Sequence, residues 1–110
     1  MAGFVKGDVV IVPFPFSDLT QAKRRPALVV AVLSGDDLIL CQITSQVITD
    51  PYAVVIAADD FSSGGLKQNS NARPNRLFTA DRQLILSTAG QLKRGKLDEV
   101  ITKIIDILHQ

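Results

Sequence analysis

Residues 22–30 read AKRRPALVV and set Lys23, Arg24 and Arg25 directly against an apolar run. A solvated surface scatters such charge and a core excludes it, so their junction is where a fold can aim a cation at a ligand. Arg25 precedes Pro26, which restricts it to an extended backbone. Its planar guanidinium offers five donors in a fork suited to phosphate. The bland alternative is a solvated cluster that anchors nothing, and this stretch alone balances the two. Further on, "ITSQ" places the hydroxyls of Thr44 and Ser45 side by side. If the apolar segments before and after residue 35 form a hairpin, Arg25 and Thr44 fall at the same edge of the sheet. A guanidinium plus a hydroxyl makes a clamp for a phosphodiester. Taken alone, Ser and Thr more commonly cap a strand end through local hydrogen bonds.

Other residues add less. Arg73 and Arg76 flank Pro74-Asn75 and either enlarge a basic surface or stand as exposed strand charges. Phe14 and Phe16 bracket Pro15 and could stack on a base, or pack in a core or hinge. His109 lies close to the last residue of the sequence, where a frayed, solvated side chain is the simpler reading. The "SSGG" turn lacks the strand-to-helix setting of a phosphate loop. No carboxylate pair or metal-ligand cluster stands out, and no cofactor is expected.

These side chains need elements to hold them. "GDVVIVPF" reads as a first strand after a Gly-Asp turn, with Pro13 and Pro15 expected to end it. "PFSDLTQAKRR" reads as a polar loop and "PALVVAVLS" as a second strand. "GDD" is a short connection to a third strand, "LILCQIT". "YAVVIAA", "RPNRLFTA" and "QLILSTAGQL" read as extended, and "DDFSSGGLKQNSN" is the most turn-rich segment. From Leu97 the period changes: Leu97, Val100, Ile101, Ile104, Ile105 and Leu108 recur at spacings of three and four, one face of an amphipathic helix. Gly95 is expected to break the preceding segment, with Asp98 and Glu99 in the first helical turn. Several short strands closed by one helix predict a mainly β fold, a small curled barrel.

The 110 residues suit a single domain spanning 1–110. An apolar fraction of 46% implies surface hidden in a partner or a dimer. Twelve Lys and Arg oppose eleven Asp and Glu, so the net charge of +1 gives no global sign of nucleic-acid binding; local clustering must carry that case. The single Cys41 lies in an apolar stretch and reads as a buried thiol in a reducing cytosol. No signal-peptide pattern opens the chain and no apolar run reaches the ~20 residues of a membrane helix. The expectation is a soluble cytoplasmic protein.

Together, "KGDVVIVPFPFSDLTQAKRRPALVV", "ITSQ" and "LFTADRQLILSTAGQLKRGKLDEVITKI" resemble the MazF/PemK toxins of bacterial toxin–antitoxin systems over nearly the whole chain. The most specific parts are Gly7-Asp8, the Arg25-Pro26 step, Thr44-Ser45 and Gly90-Gln91-Leu92. The resemblance implies an SH3-like β-barrel of the MazF/PemK/CcdB kind with a C-terminal helix, assembled as a homodimer. It implies a metal-independent endoribonuclease, an mRNA interferase that cuts single-stranded RNA at short sequences and is silenced by a cognate antitoxin. Matched by motif, Arg25 and Thr44 are the catalytic residues it implies. Lys23, Arg24, Ser45, Phe16, Arg73 and Arg76 are the expected RNA-binding set.

One departure bears on activity. Many members carry Arg-Thr-x-Asp near the late strand, where this chain reads Phe78-Thr79-Ala80-Asp81. Arg76 or Arg73 could stand in for the missing cation. The alternatives are a weak or inactive relative that grips only RNA or antitoxin, and a gyrase-directed toxin on the same fold.

Overall fold

The computed structural model describes residues 3–14 and 23–110. Seven strands appear there: β1 Asp8–Phe14, β2 Lys23–Val32, β3 Asp37–Thr44, β4 Val54–Ile56, β5 Phe61–Gly64, β6 Ser70–Asp81 and β7 Ser87–Leu92. One helix, α1, spans Arg94–Leu108. The strands form one antiparallel sheet in the order β4-β6-β3-β2-β1-β7-β5.

The sheet curls because its two edges must share a core. Val54 and Ile56 of β4 and Phe61 of β5 join Val9, Leu28, Ile43 and Leu92 in one buried cluster, capped by Leu97, Val100 and Ile104 of α1. The opposite face carries a second cluster, in which Val10, Val12, Ala27, Val29, Leu38 and Leu40 are buried. With side chains alternating along each strand, both faces of β1, β2 and β3 are therefore apolar, which explains their nearly continuous hydrophobic runs. Cys41 lies in the first cluster. Burial pushes its thiol up to about 12, so it stays protonated and inert.

Several boundaries differ from the sequence reading. β1 continues through Pro13 to Phe14, because beyond Ile11 it pairs only with β2 and a missing N–H is tolerated there. Lys23, Arg24 and Arg25 belong to β2 rather than to a polar loop; they pair with Phe14, Pro13 and Val12. The turn-rich segment contains β5, a short polar strand with only a Phe to announce it. Arg82–Leu84 forms a 3-10 turn, capped by the Asp81 carboxylate, so β7 starts only at Ser87. Gly95 lies inside α1, whose first turn is basic; Asp98 and Glu99 fall in the second. Of the expected apolar face, Leu97, Val100 and Ile104 are buried, while Ile105 and Leu108 are exposed.

Two of the motif fragments turn out to hold each other. Gly7, at φ 98°, turns the chain into β1, and its carbonyl accepts the Leu92 N–H at 2.9 Å. Beside it, the Gln91 Nε2 donates to Asp8 Oδ1 at 3.1 Å. Gly7-Asp8 and Gly90-Gln91-Leu92 thus staple β1 to β7.

Candidate functional site

β2 and β3 are hairpin neighbours, with Ala27 opposite Gln42. Two residues further along each strand, beyond the last paired residues, lie Arg25 and Thr44, at the same end of the sheet. A cleft of about 380 Å³ opens at this end of the sheet, lined among others by Lys23, Arg25, Gln42, Thr44, Ser45 and Arg73, with Phe14 at its apolar wall. Alternation explains the gathering. Lys23 and Arg25 share a face with buried Ala27, Gln42 and Thr44 share it with buried Leu40, and Phe14 shares it with buried Val12. The cleft is the solvent end of the second core cluster, where the apolar pattern gives way to cations and hydroxyls.

Arg73 reaches this cleft through an irregularity in β6. Two residue steps on β3, from Cys41 to Ile43, face five on β6, from Leu77 back to Ala72. The extra residues form a bulge around Arg73-Pro74-Asn75-Arg76, a device that re-aims side chains at the rim of a sheet.

The cations differ in their partners. Among the described residues no carboxylate lies within 4.0 Å of the charged groups of Lys23, Arg24 or Arg25. Arg73 is paired: its Nε and Nη2 both donate to Asp50 Oδ2 at 3.3 Å. The Tyr52 N–H also donates to the Asp50 carboxylate, at 2.9 Å. That bond is the main reason the Asp50 carboxyl sits below its usual value of 3.8; Arg73 adds to the effect and desolvation opposes it. The Thr44 Oγ1 accepts the Gln46 N–H at 3.2 Å, the local strand-end bond that its residue type favours. The hydroxyl keeps its own proton to donate into the cleft.

The sequence candidates therefore divide. Arg25, Thr44, Lys23, Ser45 and Arg73 come together in the cleft. Arg24 alternates to the other face of β2, and Arg76 is exposed on β6 outside the cleft lining. Phe16 lies outside the described residues. Phe78 packs its ring 5.6 Å from that of Phe14, at 43°, so an aromatic pair occupies the position where a cation was expected. Gln42, Ile48 and Asp50 were missed. Gln42 is signalled by a polar residue within an apolar strand, and Asp50 by the Asp-Pro step, whose side chain bonds the backbone two residues on. Among the described residues no group of three or more His, Cys, Asp or Glu side chains gathers as metal ligands.

This fold recurs in solved structures. MazF from Deinococcus radiodurans superposes with a TM-score of 0.77 at 21% identity, covering 100% of both chains. An endoribonuclease in complex with its cognate antitoxin, from a mycobacterial species, gives 0.73 at 14% identity, covering 99% of this chain and 96% of that one. Mycobacterium tuberculosis toxin MazF-mt6 gives 0.72 at 17%, covering 93% and 96%. The architecture is that of the MazF toxins. No curated protein matches the chain. Residues 5–108 match the family described as PemK-like, MazF-like toxin of type II toxin–antitoxin system, and the chain belongs to that family.

Proposed function

We propose that this toxin is an endoribonuclease that cleaves single-stranded RNA at short sequences, without a metal ion, and is held silent by a cognate antitoxin. The observation that carries this reading is that Arg25 and Thr44 line one cleft, with no carboxylate among the described residues within 4.0 Å of the Arg25 guanidinium. Solved relatives of the same fold are described as endoribonucleases, one of them in complex with its antitoxin, which supports both the activity and the partner.

RNA carries its own nucleophile. The ribose 2′-OH attacks the adjacent phosphorus, a 2′,3′-cyclic phosphate forms, and the P–O5′ bond breaks. One proton leaves the 2′ oxygen and one is taken up by the departing 5′ oxygen. Negative charge grows on the non-bridging oxygens, and Arg25 is the group suited to stabilise it. As a proton donor Arg25 is poorly suited, because a guanidinium is not deprotonated at ordinary pH. Thr44 orients the phosphate or the attacking hydroxyl through its free proton. Lys23, Ser45 and Arg73 extend the grip to neighbouring parts of the strand.

A homodimer belongs to this reading. Ile105 and Leu108 of α1 and Val55 of β4 leave apolar surface exposed, and such surface favours a partner. A second reading, RNA binding without cleavage, draws on Phe78, which packs on Phe14 where a cation was expected. One experiment separates the two: the pure protein is incubated with a long RNA in EDTA. Discrete fragments ending in 2′,3′-cyclic phosphate are expected from wild type. Retarded but intact RNA would establish the binding-only reading.

A further inference from the structure

We infer that Asp50 is a positioning residue: it holds the Arg73 guanidinium at a rim between two adjoining hollows, so that Arg73 grips the phosphate next to the one at Arg25. This deepens the endoribonuclease reading and rests on it. The two hollows share Ile48 and Arg73: one is the cleft of Arg25 and Thr44, the other is bounded by Val47, Asp50, Tyr52 and Asn75. A strand laid from one to the other must pass Arg73.

The pairing geometry leaves Arg73 able to act. Asp50 uses Nε and Nη2 through a single oxygen, at 3.3 Å each. Of the five guanidinium N–H groups, three remain for another acceptor. Asp50 itself is fixed by the Tyr52 N–H and is well covered, with 7% of its side chain exposed against 21% for Arg73. A long flexible side chain is thereby held in one direction before any ligand arrives, which lowers the entropy lost on binding. The carboxylate also reduces the net charge at this point. The device therefore suits orientation of a flanking phosphate rather than bulk electrostatic attraction, which falls to Lys23 and Arg25.

The test measures affinity for a non-cleavable RNA, with a 2′-O-methyl group at the scissile position, alongside steady-state cleavage. Asp50→Asn and Arg73→Gln are each expected to weaken binding by about tenfold, and to raise KM more than they lower kcat. Their effects should not add in the double variant, since both remove one device. Arg73→Gln should reduce the slope of log affinity against log salt by about 0.7, the contribution of one phosphate on a single strand. Arg73→Lys, which keeps the charge but loses the fork, should restore the salt slope while leaving affinity below wild type.

If Asp50→Asn lowers the melting temperature but leaves affinity, KM and salt slope at wild-type values, the pair merely ties residues 47–52 to the β6 bulge and the inference is overturned. An Asp50→Asn protein that fails to fold leaves the decision to Arg73→Gln; an unchanged salt slope there overturns it equally. Wild-type protein that neither binds nor cleaves RNA would instead overturn the endoribonuclease reading.

Discussion

Arg25 and Thr44 sit at the end of an apolar strand pair rather than within it, so their replacement tests chemistry more than folding. Arg25→Ala should keep the circular dichroism spectrum and lose most cleavage, on the order of 2–4 kcal/mol of transition-state stabilisation. Thr44→Val should cost less, because it removes a neutral hydroxyl rather than the charge that meets the developing oxyanion; cleavage unaffected by that change would reduce Thr44 to a strand cap for the Gln46 N–H. Asp50 gives a pH signature. Its folded pKa lies below 3.8, so the carboxylate binds fewer protons in the folded state than in the unfolded one. Its contribution to stability is present above the unfolded value and lost as pH falls through the lowered folded one. Acid titration of thermal stability should therefore show Asp50→Asn approaching wild type only below pH 3.8. Arg25 and Thr44 were legible in the sequence because a pre-proline cation and a strand-end hydroxyl need only a hairpin to bring them together. Asp50 was not, since its role depends on a bulge in β6 that no local pattern announces.

At the level of elements, the sharpest constraint is the approach of β5 to β7. A Cβ on Gly90 would lie 2.5 Å from the Ser63 carbonyl oxygen and 2.8 Å from the Gly65 nitrogen. Both are backbone atoms, so the strands themselves must separate. Gly90→Ala should destabilise by about 1–3 kcal/mol, lowering the melting temperature by several degrees or more. Gly95 is its control: it lies in α1 with nothing within 4 Å of a new Cβ, and Gly95→Ala should raise stability by about 0.5–1 kcal/mol. A calorimetric scan of both variants checks the opposite signs. The central strands were readable because burial on both faces writes itself as continuous β-branched and Leu-rich runs. β5 was not readable, since its pairing with β7 depends on small residues rather than on hydrophobic alternation. The start of α1 was misread for a related reason: the apolar period begins at Leu97, while the helix opens three residues earlier on basic residues that the period does not register.

For the whole molecule, a net charge of +1 makes any RNA affinity a local matter. Two or three phosphates at Lys23, Arg25 and Arg73 should give a log–log salt slope of roughly −1.4 to −2.1, and affinity indifferent to salt would contradict the cleft as the RNA site. The proposed antitoxin reaches the same cations with carboxylates, as an acidic segment that orders on binding. Antitoxin peptide and non-cleavable RNA should exclude each other in a competition titration. A ternary complex with RNA still contacting Arg25 would rule out direct occlusion. The staple between β1 and β7 has a consequence in time. Asp8 and Gln91 are 83 residues apart in sequence, so β1 emerges from the ribosome long before its second neighbour exists. The hairpin that carries Lys23, Arg25 and Thr44 is likewise made early, onto a sheet still missing an edge and the helix that covers its core. Such non-local closure is slow and must wait for residues 87–108. Until β7 and α1 have been made, the hairpin that carries the proposed RNA site stands on an unfinished sheet, so the proposed cleavage should not precede them.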